Sequence, residues 1–472
     1  MKTSQVDEGI ANLRKIARRI FDQSLADCSV DRAVARHVSV RGQMLRLGEE
    51  TIDLGCVQRV RIVAVGKAAR TMLVSLLQQL SLPSHCDLAG VLIAPEKSQS
   101  VATTLLRGIQ FFAGGHPSPN QESFDGARAA LTMLRELPQD ARSNSLCFFL
   151  ISGGASAMME LPLDSSISLD DTASFHRALV GSGASITEIN CVRKHFSAVK
   201  GGRLAQAAGN AMCRSLLLSD VPVGCEDALG SGPTIPDSST IEECREILDR
   251  YKLLAQFPAA VRRFFESDAL VETPKPGELQ AQASVLLSAQ NLAEAAAKNA
   301  KALGYFAVID NNCDEWEYKT AARHLLDRLR TCRAHHSRAC IISTGEVRVT
   351  LPTSNDTAGT VGIGGRNQQF ALYAATLLRP EDEPVAILSA GSDGIDGNSP
   401  AAGAVVDRDT VARHALPRVM DALDRFDAYP FLSDRRAAIV TGPSGNNLRD
   451  LRILIAERPQ TEETSRVEPE IP

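Results

Sequence analysis

Apolar runs that end in a glycine turn and continue as a helix recur along this chain, and no other feature limits its fold as strongly. VRIVAVGKAARTMLVSLLQQL (60–80) reads as a strand, a turn at Gly66-Lys67, then a helix, and SLCFFLISGGASAMMELP (145–162) repeats the pattern. RSLLLSDVPV (214–223) is a strand ending at Asp220, and VAILSAGSDGIDG (385–397) a strand ending in a loop. ACIISTGEVRVTLP (339–352) reads as two strands around Gly345. Short buried strands alternating with helices give an α/β protein with mostly parallel sheet. Ligands of such sheets sit beyond the C-terminal strand ends, where these glycines fall.

The organisation follows from where the pattern breaks. Residues 252–282 are helical and then polar and Pro-rich at TPKPGE (273–278), which predicts a boundary there. The expected domains are 1–270 and 283–455, both α/β. The polar stretch 354–365 is expected to be a mobile loop, and the charged tail 456–472 to be disordered. Near the N-terminus Ile10, Leu13, Ile16, Ala17 and Ile20 repeat at helical spacing, so an amphipathic surface helix is expected and a secretory signal is not. No run reaches the roughly 18 apolar residues of a membrane span, so no membrane association is expected. A net charge of −5 lacks the basic excess of a nucleic-acid binder. Eleven dispersed cysteines, with no C-x-x-C and no Cys/His cluster at zinc spacing, suit a reducing cytoplasm. A homodimer is left open.

The residues able to carry chemistry cluster at the same turns. Lys67, one of only eleven lysines beside forty arginines, follows Gly66 at a helix start, where it would add charge to an anion site. Ser152, Gly153, Gly154 and Ser156 are small enough for a phosphate or carboxylate to reach backbone N–H groups. His116, in the rigid GGHPSPNQES loop (114–123), is placed to meet a substrate carboxylate or hydroxyl. Arg193, Lys194 and Lys200 are expected on one helix, with Arg193 and Lys200 sharing a basic face two turns apart. Asp220, and Asp393 and Asp396 of GSDGIDG, follow apolar strands, where a carboxylate holds Mg2+ or accepts a hydroxyl proton. Arg366 and Asn367 lead a helix out of GIGG, which suits a phosphate clamp or charge stabiliser. Asn446, Asn447 and Asp450 are further polar candidates in TGPSGNNLRDLRIL (441–454). Together these features point to phosphoryl transfer between a nucleotide and a small acidic or hydroxylated molecule. A nicotinamide-dependent reductase would need a strand–G-x-G-x-x-G–helix fingerprint. Gly181-Ser182-Gly183 comes nearest to one, but it follows a helix-like stretch.

The motifs GKAA (66–69), GGHPSPNQES, SGGASAM (152–158), VRKHFSAVKGGRLA (192–205), LSDVPVG (218–224) with SGPTIPD (231–237), GGRNQ (364–368), GSDGIDG (391–397) with AAGA (401–404), and TGPSGNNLRDLRIL, in this order, resemble the glycerate kinases whose C-terminal part carries the MOFRL signature. The resemblance spans about residues 10–455. It implies ATP-dependent phosphorylation of D-glycerate, usually to 2-phosphoglycerate, with Mg2+. It also implies a Rossmann-like N-terminal domain, a smaller mixed α/β MOFRL domain, and an active site in the cleft between them. Relatives have also been labelled hydroxypyruvate reductases, the rival activity. The family's functional lysine, strand-end aspartate and arginine fall on Lys67, Asp220 and Arg366. Asp220 then either accepts the glycerate hydroxyl proton or holds Mg2+, with Asp393 as a second metal candidate. Lys67 and Arg366 neutralise the moving phosphoryl group. The chain departs from the pattern at Gly224-Cys225-Glu226-Asp227, where Gly-Asp-Asp is common, at Ser343-Thr344-Gly345, where a Gly-Gly pair is common, and at Ser444 and Asn446, where Thr is usual.

Overall fold

The computed structural model describes residues 2–95, 106–138, 144–222, 224–267, 270–351, 362–382, 384–411 and 416–458. The chain forms two compact units: a larger one of Cys28–Asn291 with Gly445–Leu448, and a smaller one of Met1–Asp27, Leu292–Ser444 and Arg449–Pro472.

The larger unit begins with a three-stranded antiparallel sheet, β1 (Val38–Arg41), β2 (Met44–Leu47) and β3 (Glu50–Asp53). Its main sheet contains β4 (Arg59–Val65), β5 (Asp87–Ala94), β6 (Ile109–Ala113), β7 (Ser145–Ile151), β8 (Met212–Leu218) and β9 (Ala281–Leu287) in the order β6-β5-β4-β7-β8-β9. Every pairing in it is parallel, as expected. Every residue of β7 is buried, which suits a strand with both sheet faces covered. Strand order reverses between β4 and β7, so the Gly66 and Ser152–Gly154 turns both leave from the switch point of a doubly wound sheet. Beyond the sheet, helices Leu169–Val180, Ile186–Phe196, Ile241–Arg250 and Ala259–Glu266 enclose a second apolar cluster. In that cluster Phe175 stacks on Phe196 with ring centroids 4.2 Å apart. Each such buried phenylalanine contributes about 1.5–3 kcal/mol.

The smaller unit holds β10 (Phe306–Ile309), β11 (Arg338–Gly345), β12 (Val385–Gly391), β13 (Gly403–Val406), β14 (Ala438–Ile439) and β15 (Asp450–Glu457) in the order β10-β11-β15-β12-β13-β14. Only β10 and β11 pair in parallel; the other neighbours are antiparallel, so this sheet is mixed. Helices Tyr318–His335 and Arg366–Thr376 cover it.

Four expectations change. The first helix, Lys2–Asp27, belongs to the smaller unit, although the sequence assigned 1–270 to one domain. Its buried stripe of Leu13, Ala17, Ile20 and Phe21 gives it an apolar face, and it packs on β12, β13 and β15. The units change over at Asn291/Leu292, because the 281–287 segment completes the larger sheet as β9. Only one strand surrounds Gly345: after β11 the chain makes a single bridge, at Arg348, to Glu317. β15 extends to Glu457, two residues into the expected tail. Residues 459–472 of that tail and 354–361 of the expected loop lie outside the described residues. No described helix is long and apolar enough to cross a membrane.

Candidate active site

Two glycine turns of the larger unit interlock. Gly66 has φ +117°, and a Cβ there would lie 2.5 Å from the Ser152 carbonyl oxygen, so only glycine fits. The Lys67 N–H donates to Gly153 O at 2.9 Å and the Ala68 N–H to Ser152 Oγ at 3.1 Å. Ser152 N–H in turn donates to Val65 O at 3.1 Å. The backbone N–H groups of Lys67 and Ala68, expected to face an anion, are thus used in joining the turns, and the exposed Lys67 side chain is what this turn presents. Ser152 is buried for the same reason: its hydroxyl is a staple and does not face a ligand, a correction to its expected role.

The other side of the second turn gathers several of the candidate side chains. No hydrogen bond is made by the Gly153 or Gly154 N–H among the described residues. Asp220, just after β8, presses its carboxylate against the Gly153 α-carbon, where a Cβ would overlap Oδ2. Asn447 Nδ2 lies 3.5 Å from the same oxygen. A Cβ on Gly154 (φ +85°) would lie 3.2 Å from His116 Cδ2 and 3.4 Å from Lys67 Cγ. Lys67, His116, Gly153, Gly154, Asp220 and Asn447 therefore share one locus at the C-terminal ends of β4, β7 and β8. The His116 loop is pinned from behind: Asn120 caps helix Gln121–Arg135 in a capping box with Ser123, and both side chains accept from the Gly115 N–H at 3.0 Å. Partial desolvation, then the nearby Lys67 charge, holds the exposed His116 imidazole below its ordinary pKa.

The basic face expected on 189–205 does not form. The helix stops at Phe196, so Lys200 lies beyond it. Its ammonium is buried against Glu160, whose carboxylate also accepts from His176 Nε2 at 3.1 Å. Burial alone would raise the Glu160 carboxyl; Lys200 and His176 overcome it and bring the pKa to about 2. A sealed ion pair binds no substrate, which corrects the role expected for Lys200. Lys194 is likewise taken, by Asp227 at 2.9 Å and Asp237 at 3.1 Å. The Asp227 of the departing Gly-Cys-Glu-Asp run thus has a partner. Arg193 is partly buried near Glu160, with its Nε unpartnered among the described residues. Ser156 Oγ is 3.0 Å from Ser231 Oγ, which donates to Asn190 Oδ1 at 3.0 Å, so this serine braces the turn from within.

In the smaller unit, antiparallel β15 starts where β11 and β12 end. Asp450 is in register with Gly345 on one side and Gly391 on the other. Arg366 reaches it bidentately, Nε to Oδ2 at 2.6 Å and Nη2 to Oδ1 at 3.1 Å, and its Nη2 is 2.8 Å from Glu346 Oε1. Burial opposes the charge on Arg366, but Asp450 and Glu346 raise its pKa further above its ordinary value. Asn367 is fully buried, its amide shared between Asp396 and Ser389. It secures the helix start and has no face for a ligand, which corrects its expected role. Asp396, a strand-end candidate like Asp393, is spent on the helix start: it takes N–H bonds from the backbones and side chains of both Asn367 and Gln368. Burial, opposed by those N–H groups and reinforced by Asp450, raises its pKa to about 6. Asp393, the other aspartate of that loop, closes a turn through Oδ1 to the Ile395 N–H at 3.0 Å. The Gly365 entry into the helix hinted at Asp396, since a Cβ there would strike its carboxylate. Glu346 carried no such sign.

Comparison with known proteins identifies the family. Residues 16–266 match a family described as a domain of unknown function (DUF4147), and residues 339–450 match the MOFRL family. The chain is 33% identical to the D-glycerate 2-kinase of Thermotoga maritima over 94% of its own length and 98% of that protein's. A protein of Agrobacterium vitis that provisionally bears the name hydroxypyruvate reductase is 32% identical over 84% of this chain and 99% of its own. The crystal structure of a glycerate kinase from Thermotoga maritima superposes with a TM-score of 0.78 at 32% identity, covering 94% of this chain and 100% of that one. The chain belongs to the MOFRL family of glycerate 2-kinases.

Proposed function

We propose that this protein transfers the γ-phosphoryl group of ATP to the 2-hydroxyl of D-glycerate. The observation that carries this reading is the placement of the Asp220 carboxylate against the Gly153 turn, beside the Lys67 side chain. Phosphoryl transfer asks for positioning and for charge opposite the equatorial oxygens more than for covalent chemistry. The Gly153 and Gly154 N–H groups and the Lys67 ammonium supply that charge on one side. Asp220, steadied by Asn447, accepts the hydroxyl proton as the new P–O bond forms. His116, with its lowered pKa, is neutral at pH 7 and orients the acid or its hydroxyl by hydrogen bonding. In the smaller unit we assign Arg366 to phosphoryl charge, because Asp450 and Glu346 fix its head and keep it cationic.

The larger-unit cluster suits Mg2+ because that ion takes most of its ligands from phosphates and water and needs only one or two carboxylates. Asp220 would be its protein ligand, and the ion would offset charge on the β- and γ-phosphates. Asp393 receives no metal role, since its Oδ1 is committed to its own turn. Eleven free thiols suit a reducing compartment, on which we base a cytoplasmic location.

A reductase would require a dinucleotide fingerprint, which the Gly66 and Gly153 turns do not have. The test is ADP release with D-glycerate and, separately, NADH oxidation with hydroxypyruvate. The proposal expects the first activity only, reduced about 100-fold or more in Asp220→Asn. Turnover of NADH without ADP release would reverse it.

A further inference from the structure

The helical part of the larger unit contains a group of side chains that the kinase reaction does not use. Cys191 and His195 lie one turn apart on helix Ile186–Phe196, and Cys244 faces them from helix Ile241–Arg250. One donor atom from each lies within 4.8 Å of the other two, and all three residues are buried. We propose that Cys191, His195 and Cys244 bind a structural Zn2+ ion.

The geometry is near what the ion requires. Tetrahedral zinc with thiolate and imidazole ligands places its donors about 3.5 Å apart, so closure needs shifts of about 1 Å at most. His195 is already oriented: its Nδ1 lies 2.9 Å from the Cys191 carbonyl oxygen and donates to it. That bond leaves the lone pair on Nε2, which is fully buried and has no hydrogen-bond partner among the described residues. Metal-bound histidines are held in this way, with the second ring nitrogen on a carbonyl or carboxylate. A buried nitrogen without a partner is costly, and a cation would supply one. Glu272 Oε2 stands 3.7 Å from His195 Nε2 on a side chain 42% exposed, which marks a route from solvent to the cluster. Its Oε1 accepts the Ile241 N–H at 2.8 Å, at the start of the Cys244 helix, and Lys275 lies 2.6 Å from Oε2.

The surroundings indicate a structural ion. Phe196, Leu248, Phe264 and Val261 belong to the same apolar cluster as the two cysteines. Binding exchanges two thiol protons for Zn2+, releases them to solvent and changes no oxidation state. The ion would staple helix 186–196 to helix 241–250. The first of these carries Asn190, which through Ser231 reaches Ser156 of the glycine turn.

The test uses the full chain, stripped with a chelator under reducing conditions and titrated with Co2+ in excess Mg2+, which occupies oxygen-only sites. The proposal expects one equivalent of Co2+ with a thiolate-to-cobalt charge-transfer band, displaced by one equivalent of Zn2+. The band should be lost in Cys191→Ser and Cys244→Ser and kept in Cys147→Ser. Should the serine variants fail to fold, alkylation of the wild-type chain decides: Zn2+ should protect Cys191 and Cys244 from iodoacetamide and leave Cys56 and Cys225 reactive. A missing band, a band that survives both serine variants, unprotected Cys191 and Cys244, or a Cys191–Cys244 disulfide in peptide mapping would overturn the assignment.

Discussion

The guanidinium of Arg366 holds both carboxylate oxygens of Asp450, at 2.6 and 3.1 Å, at the point where β15 meets the ends of β11 and β12. Asp450 is 1% exposed, so the pair fixes a cation at the start of an interior strand and leaves little of its partner in water. A planar fork makes this contact and an ammonium does not. Arg366→Lys should therefore lower kcat about 100-fold or more with a smaller change in KM, measured by steady-state ADP release. Asp450→Asn should lower kcat less, since Glu346 still holds Nη2. An Arg366→Lys enzyme of normal kcat would remove Arg366 from the mechanism.

Gly153 gives a steric test of the larger-unit locus. Alanine there would put a methyl group into the Asp220 carboxylate and 3.4 Å from Asn447 Nδ2. Gly153→Ala should fold, because Gly153 φ is not in the left-handed region, yet lose kcat to a degree similar to Asp220→Asn. Thermal melting together with kinetics separates the two effects. Wild-type kcat in this variant would show that Asp220 does not act from its observed position.

The sealed Glu160–Lys200 pair should matter to stability and not to catalysis. Removing one partner of a buried pair strands the other charge, at a cost of about 3–5 kcal/mol. Glu160→Gln should lower stability by that order in denaturant titration. The sign of the acid response follows from the lowered carboxyl. Its ordinary value is 4.5 and its folded value about 2, so its contribution is complete above 4.5 and disappears as pH falls toward 2. Lys200 does not mirror this shift, since burial, with Arg193 adding to it, outweighs Glu160 and lowers its ammonium pKa. The wild-type chain should lose stability across that acid window more steeply than the Gln variant.

Asp396 behaves in the opposite sense. Its carboxyl keeps a proton up to about 6 in the folded chain, against an ordinary value of 3.8. Between those values the folded state binds more protons than the unfolded one, so stability falls as pH rises through the window. Asp396→Asn should flatten that slope. It should also cost about 1–3 kcal/mol, because an amide nitrogen would face the four N–H donors that now bond the carboxylate. Unfolding measured from pH 4 to pH 7 on both proteins checks this, and equal slopes would rule it out.

The sheet of the larger unit was readable because its strands are short, buried on both faces and closed by glycines. Parallel neighbours carry their C-terminal ends to one edge, so Lys67, Gly153 and Asp220 could be grouped although 153 residues separate the first from the last. Lys200 could not be placed, because helix spacing says nothing of where the helix ends. Ser197 has extended backbone, and from there the chain turns Lys200 inward to Glu160. Asn367 misled for a related reason: a polar residue at a glycine-rich helix entry can face a ligand or cap the helix, and only the buried Asp396 decides between these. The Cys191–His195 spacing was a visible i, i+4 pair, but Cys244, 49 positions further on, meets them only when two helices pack. The first helix joined the smaller unit through contacts over hundreds of positions, which periodicity does not register.

The central claim is that this chain phosphorylates D-glycerate at its 2-hydroxyl, and product identification tests it most directly. The purified protein is incubated with ATP, Mg2+ and D-glycerate, and the product is offered to enolase with and without phosphoglycerate mutase. Consumption by enolase alone identifies 2-phosphoglycerate and is the predicted result. Consumption only when the mutase is present, or no phosphorylated product at all, would contradict it.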